Sequence, residues 1–213
     1  MDLDQLNAAI TSCRRCPRLV EWREEVGRVK RASYADQTYW AKPVPVFGDP
    51  SADRLIVGLA PGAHGANRTG LMFHGDRSGV FLYRALHGAG VASTPNCDSK
   101  EDGQVLRGVM ITASAHCAPP DNKPTPDELA NCAPFLQEVL LSREWKSILC
   151  LGGIAWSRTL AELGGPKVGF AHGSEVAVGP TRIIASYHVS QQNTFTGRLT
   201  EAMFDEIIAR WLA

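Results

Sequence analysis

The sequence carries no surplus of either charge: 22 lysines and arginines are matched by 22 aspartates and glutamates among 213 residues. That balance excludes a protein that coats nucleic acid through bulk electrostatics, though not one that grips a few phosphates with a local patch. No apolar run approaches the roughly 18 residues of a membrane span. Residues 1–10 read as an amphipathic helix without the apolar core of a signal peptide. The expectation is a cytoplasmic protein with no membrane association. There is no internal repeat and no low-complexity stretch, and no long segment is both charged and poor in apolar residues, so disorder is expected only in short loops. Two common phosphate-binding loops are also missing. The glycines after the first apolar run lack the G-x-G-x-x-G spacing, and no Gly-Lys-Ser/Thr follows them.

The sequence does have apolar residues enough, at 44%, to bury one sizeable core. Its length suits a single domain over residues 1–213. Four short runs, at 54–59, 108–113, 147–151 and 181–186, are rich in Ile, Leu or Val and bounded by turn residues. They read as buried strands. Helical patterns at 78–90, 125–142, 154–163 and 201–212 alternate with them, and the second opens Thr-Pro-Asp-Glu, a cap followed by a proline and two acids. Alternation of this kind predicts an α/β fold with a central, mostly parallel four-stranded sheet covered on both faces. Residues 28–50 mix Tyr34, Tyr39, Trp40 and prolines with charges and read as a long ordered loop packed on the domain.

In an open parallel sheet, ligands bind beyond the carboxyl ends of the strands. Polar loops follow at least three of these strands. The first is Ala60-Pro61-Gly62-Ala63-His64-Gly65-Ala66-Asn67-Arg68, whose glycines let a backbone cradle approach a base or phosphate. The second contains Cys117 and Asp121-Asn122-Lys123. The last runs through His188, Ser190, Gln192 and Asn193. Between them lies Phe73-His74-Gly75-Asp76, where Phe73 offers a face for base stacking. Each residue has a plainer reading: Phe73 as core, Asp76 as a helix cap, the glycines as a tight turn, His188 as a structural imidazole. Their concentration at one sheet edge favours function. Arg68, Arg77, Lys123 and Arg198 lie in polar, glycine- or proline-rich segments where a local phosphate-binding patch could form.

Six cysteines in a reducing compartment are better read as thiols or metal ligands than as disulfides. Cys13 and Cys16 form a C-x₂-C pair, and Cys117 and Cys132 stand 15 positions apart. Cys97 and Cys150 lack partners at ligand spacing, and Cys150 reads as buried core. Four thiolates suit zinc or an iron–sulfur cluster, and the missing second short knuckle weakens zinc without removing it.

Taken together and in order, Gly58-Leu59-Ala60-Pro61-Gly62-Ala63-His64-Gly65, Phe73 to Asp76, Cys117 to Pro124 and His188 to Thr194 closely resemble the type B, or family 5, uracil-DNA glycosylases. The resemblance implies a three-layer α/β/α sandwich. It also implies a structural [4Fe–4S] cluster on Cys13, Cys16, Cys117 and Cys132. It carries over Asp76, Asn122, His188 and Asn193 as catalytic positions. Substrate contacts fall to Phe73, Gly62, Ala63, His64, Gly65, Ala113 and Ser190. Uracil-specific relatives in family 4 carry an asparagine where this chain has Ala113. Losing that amide implies a broader range, extending to hypoxanthine and xanthine. Relatives place a basic residue where this chain has His116. The expected partner is DNA containing uracil or other deaminated bases, and the expected state a monomer. No lysine is placed for a Schiff base, so a monofunctional enzyme is expected. The residues alone leave two rivals: a zinc- or cluster-stabilised nucleoside or nucleotide hydrolase, and a non-catalytic sensor of damaged strands.

Overall fold

The computed structural model describes residues 2–213, with Lys100 described by its backbone only. Its centre is a six-stranded sheet of β1 (Phe47–Gly48), β2 (Arg54–Gly58), β3 (Val109–Ala113), β4 (Ser147–Leu151), β5 (Glu175–Val178) and β6 (Thr181–Ser186), in the spatial order β1-β3-β2-β4-β6-β5. The four inner strands are parallel, and each outer strand runs antiparallel to its neighbour. The sheet therefore has six strands where the sequence predicts four. The four predicted strands are the inner ones, buried on both faces and so readable as continuous apolar runs. The two additions lack that signature. β1 has only two residues, inside the segment read as loop, and β5 alternates exposed and half-buried positions.

The helices are α1 (Leu3–Thr11), α2 (Pro17–Val29), α3 (Ala66–Thr69), α4 (Arg77–Gly88), α5 (Pro126–Leu141), α6 (Gly153–Glu162), α7 (Gln191–Phe195) and α8 (Glu201–Leu212). Side chains alternate across each strand. Ile56, Ile111, Leu149 and Ile184 pack with Leu82 and Leu86 of α4 and with Phe204, Ile207 and Trp211 of α8. On the opposite face Leu55, Val57, Ile148 and Ile183 meet Ile10 of α1, Leu136 and Val139 of α5, and Trp156 of α6. This is the α/β/α sandwich that the resemblance implies. The predicted capping signal opens α5 as a capping box, in which Thr125 and Glu128 each bond the other's backbone N–H. The N-terminal helix begins at Leu3 with Asp2 as its cap, and Met1 lies outside the described residues.

Helix α2 has no counterpart in the sequence reading. Its buried stripe is Leu19, Val20, Arg23 and Val26, and the charge in the middle of that stripe masks the apolar period.

Among the described residues no helix is long and apolar enough to cross a membrane.

Candidate active site

The polar loops converge at the carboxyl edge of the sheet, around a cleft of about 730 Å³. Its floor is made where β2 and β3 end side by side. Gly58 pairs with Ala113 across the ladder, and the two small residues leave room for an aromatic ring above them. That ring is Phe73. A Cβ at Gly58 would lie 2.9 Å from its Cζ, so the ring rests directly on the strand backbone. Phe73 reaches this place with φ 58, a left-handed conformation that costs a bulky residue about 1–3 kcal/mol. Asp121 and Asn122, on the facing loop, also have positive φ, at 53 and 56. Three of the cleft-lining residues are thus held in a backbone region non-glycine residues rarely adopt.

Asp76 caps α4. Its Oδ1 accepts the Gly79 N–H at 3.0 Å, and burial raises its pKa while the Gly79 and Ser78 N–H groups pull the other way. The cap reading holds, and the same residue also lines the cleft. Its Oδ2 lies over the first loop, where a Cβ at Gly62 would come within 2.6 Å of it. Gly65 presses on the same carboxylate. Glycine at both positions is what admits Asp76 to the cleft.

His188 enters where β6 opens into its loop. Its ring centroid is 6.2 Å from that of Phe73, with the planes tilted by 33°. Burial pushes its pKa down to about 4, so the imidazole is neutral at physiological pH. Asn193 is absent from the cleft lining. Its Nδ2 donates to the His188 carbonyl at 2.8 Å, so it positions the histidine rather than facing the ligand. Ser190 lines the cleft together with Gln191 and Gln192.

Asn122 stands exposed on the rim with Asp121 and Lys123. Lys123, a phosphate-patch candidate of the sequence reading, lies at the cleft, where that reading places no lysine for a Schiff base. The remaining wall comes from the segment read as a packed loop. Arg31 and Tyr34 line the cleft, and Tyr39 places its hydroxyl 3.0 Å from Nδ1 of His64. Burial lowers the pKa of His64, and the charges of Arg31 and Arg68 lower it further.

Arg68 is not part of a phosphate patch. It is 6% exposed and donates to the carbonyls of His64, Gly75 and Asp98 and to the Gln37 side chain, with its guanidinium over the Tyr34 ring. It fastens the cleft wall. His116 is also buried, 1% exposed, with Nδ1 2.7 Å from the Val44 carbonyl, so it cannot meet a phosphate. Arg77 lines the cleft and Arg198 is exposed, lying over the rings of Phe195 and Tyr187 respectively. The sequence reading missed Arg31, which carries no local pattern, and gave no site role to Gly58 and Gln191, although both lie inside the motifs it quotes.

Cys13, Cys16, Cys117 and Cys132 are free and line one small cavity between α1, α2, the loop after β3 and α5. Three of them receive N–H donors: Arg23 Nη1 at 2.9 Å from Cys117 Sγ, the His116 amide at 3.4 Å from Cys132 Sγ, and Asn131 Nδ2 at 3.6 Å from Cys16 Sγ. Among the described residues no three His, Cys, Asp or Glu form a set able to hold a metal ion. The four cysteines share the lining of that cavity with Arg15, Arg23 and Glu128. Cys97 and Cys150 are buried elsewhere, 1% and 0% exposed.

Residues 45–212 match the family model of the Uracil DNA glycosylase superfamily. The chain belongs to that superfamily. The relatives it matches at 43–51% identity are type-5 uracil-DNA glycosylases. It is 51% identical over 209 residues to the type-5 uracil-DNA glycosylase of Mycobacterium tuberculosis, covering 95% of this chain and 78% of that one. To the type-5 enzyme of Thermus thermophilus it is 50% identical over 212 residues, covering 98% and 96%. The type-4 uracil-DNA glycosylase of Pyrobaculum aerophilum is more distant, 30% identical over 169 residues, covering 78% and 68%.

Proposed function

We propose that this superfamily member excises uracil from DNA by hydrolysing the N-glycosidic bond, and that it also accepts hypoxanthine and xanthine. The observation that carries the reading is the placing of Phe73, Asp76 and His188 around one cleft. A base removed from the duplex stack is presented face-on to Phe73. Bond cleavage builds negative charge on the departing base and positive charge on the sugar. The neutral imidazole of His188 donates a hydrogen bond to the base oxygen as that charge grows. A neutral donor suits this task, because its contact strengthens toward the transition state without binding the ground-state anion of the backbone. The Asp76 carboxylate faces the developing sugar cation and positions the water that adds to the sugar carbon. Asn122 contributes a hydrogen bond from the rim, and Ser190 and the Gly62–Gly65 backbone line the pocket.

The broader range rests on Ala113. A methyl group beside Phe73 offers no amide to pair with the uracil edge, so a purine with a carbonyl at the equivalent edge leaves nothing unsatisfied. Lys123 stands exposed on the rim beside Asn122, and base loss proceeds through water and not through a Schiff base. Six free cysteines favour a reducing compartment, the cytoplasm.

Four thiols that line one cavity and receive N–H donors at three of their sulfurs fit a [4Fe–4S] cluster, whose negative charge such donors meet. A single zinc ion needs four sulfurs each about 2.3 Å from one point. When bound, the cluster supplies a covalent staple between the N-terminal helices and the loop that carries Asn122.

Base release from single- and double-stranded oligonucleotides carrying uracil, hypoxanthine or xanthine, followed by alkali, tests the proposal. Release of uracil with either purine supports it. Release of uracil alone removes the Ala113 argument and keeps the activity. No release by folded protein overturns the reading.

A further inference from the structure

Arg23 is a fully buried guanidinium without a carboxylate of its own. It is 2% exposed, and the closest acid, Glu24, lies 4.0 Å away and is already held by both arms of Arg14. Arg23 donates instead to Cys117 Sγ at 2.9 Å and to the Cys13 carbonyl at 3.3 Å, and its Nε has no partner. A guanidinium does not deprotonate in proteins. Burying one costs several kcal/mol unless an anion meets it.

We infer that Arg23 is the built-in counter-charge of the four-cysteine centre, and that it sets both the reduction potential of that centre and how firmly it is retained. This inference rests on the iron–sulfur reading above. Four thiolates around a cluster bring net negative charge into this small cavity. A fixed cation in contact with one ligand sulfur stabilises that charge, and stabilises the reduced, more negative state most of all. The other charged groups at the cavity offer no substitute. Arg15 is exposed and lies over the Phe135 ring, and Glu128 is paired with Arg18.

The test uses anaerobically purified full-length protein. Iron, acid-labile sulfide and visible absorbance are measured first, then midpoint potential by voltammetry and the rate of bleaching by a chelator. R23Q is expected to bleach about tenfold faster or more, the loss expected for a hydrogen bond to a charged group. Its potential is expected to shift to more negative values. R23K keeps the charge without the fork, so its potential is expected to stay close to wild type while its bleaching rate falls between. A loaded R23Q with wild-type potential and bleaching overturns the role of Arg23, as does an R23K whose potential falls with that of R23Q. If R23Q does not fold, a negatively shifted potential in R23K overturns it equally. Wild-type protein without iron and sulfide overturns the cluster reading, and this inference with it.

Discussion

The ring of Phe73 rests on Gly58, so the last residue of a central strand serves as the underside of the base platform. An alanine there would place its Cβ 2.9 Å from the ring and push it into the space a base would fill. Overpacking of this kind costs typically about 1–3 kcal/mol. G58A is expected to reduce single-turnover release about tenfold or more with only a modest fall in Tm. An unchanged rate with a large loss of Tm would show that Gly58 serves packing alone.

Asp76 has two tasks that two substitutions separate. D76N keeps a good N-cap and removes the charge, so stability should stay within about 0.5 kcal/mol. Its catalytic rate should fall by about 10² or more. D76A should show the same rate loss plus about 1 kcal/mol of lost stability. Denaturant melts run beside single-turnover assays distinguish them. A D76N variant with near wild-type turnover would leave only the capping role.

The pH profile carries a sign that follows from His188. Burial holds its pKa at about 4, so the donor stays neutral from there upward. Turnover should show no histidine break near 6.5 and should fall on the acid side, as Asp76, held above the ordinary carboxylate value by burial, and His188, at about 4, take up protons. Between the ordinary histidine pKa of about 6.5 and that lower value the unfolded chain binds a proton that the folded chain refuses. Stability is therefore also expected to decline as pH falls through that window, and H188N should flatten the decline. A rate limb near pH 6.5 that vanishes in H188N would contradict the neutral-donor assignment.

Ala113 is the position at which specificity can be rewritten. A113N adds an amide beside the floor, and a purine that cannot pair with it leaves a buried polar group unsatisfied. The ratio of uracil to hypoxanthine release is expected to rise by about 10–100-fold. An unchanged ratio in a folded variant would move the source of base selectivity elsewhere.

Lys123 provides the last check. K123A should weaken DNA binding slightly and leave single-turnover release at saturating enzyme unchanged. Borohydride should trap no adduct with wild-type protein. A trapped adduct that K123A abolishes would replace the hydrolytic mechanism.

Much of this was readable from the chain because burial writes itself into composition. The inner strands are hidden on both faces, so their residues run apolar without interruption. The outer strands escape notice because one is too short and the other is half in solvent. Helix α2 hides for a different reason, since an arginine occupies the middle of its buried stripe. The loop residues Asp76, His188 and Phe73 were legible as a group because the polar loops follow parallel strands at one edge. Exposure was not legible. Arg68 and His116 sit in polar-looking segments, yet both are enclosed, and only the three-dimensional packing of residues 31–44 explains why. Asn193 lies one helical turn from the cleft and acts on the backbone of His188, a role that sequence proximity to Ser190 conceals.

The packing of α1 has a consequence for the order in which the molecule is made. Leu6 and Ile10 are covered by α5, and α5 lies more than a hundred residues further along the chain. At synthesis rates of about 5–20 residues per second the first helix waits on the order of 6–24 s for its partner to appear. During that interval its apolar face, and the thiols of Cys13 and Cys16 just beyond it, are open to whatever chaperone, oxidant or free metal ion meets them first.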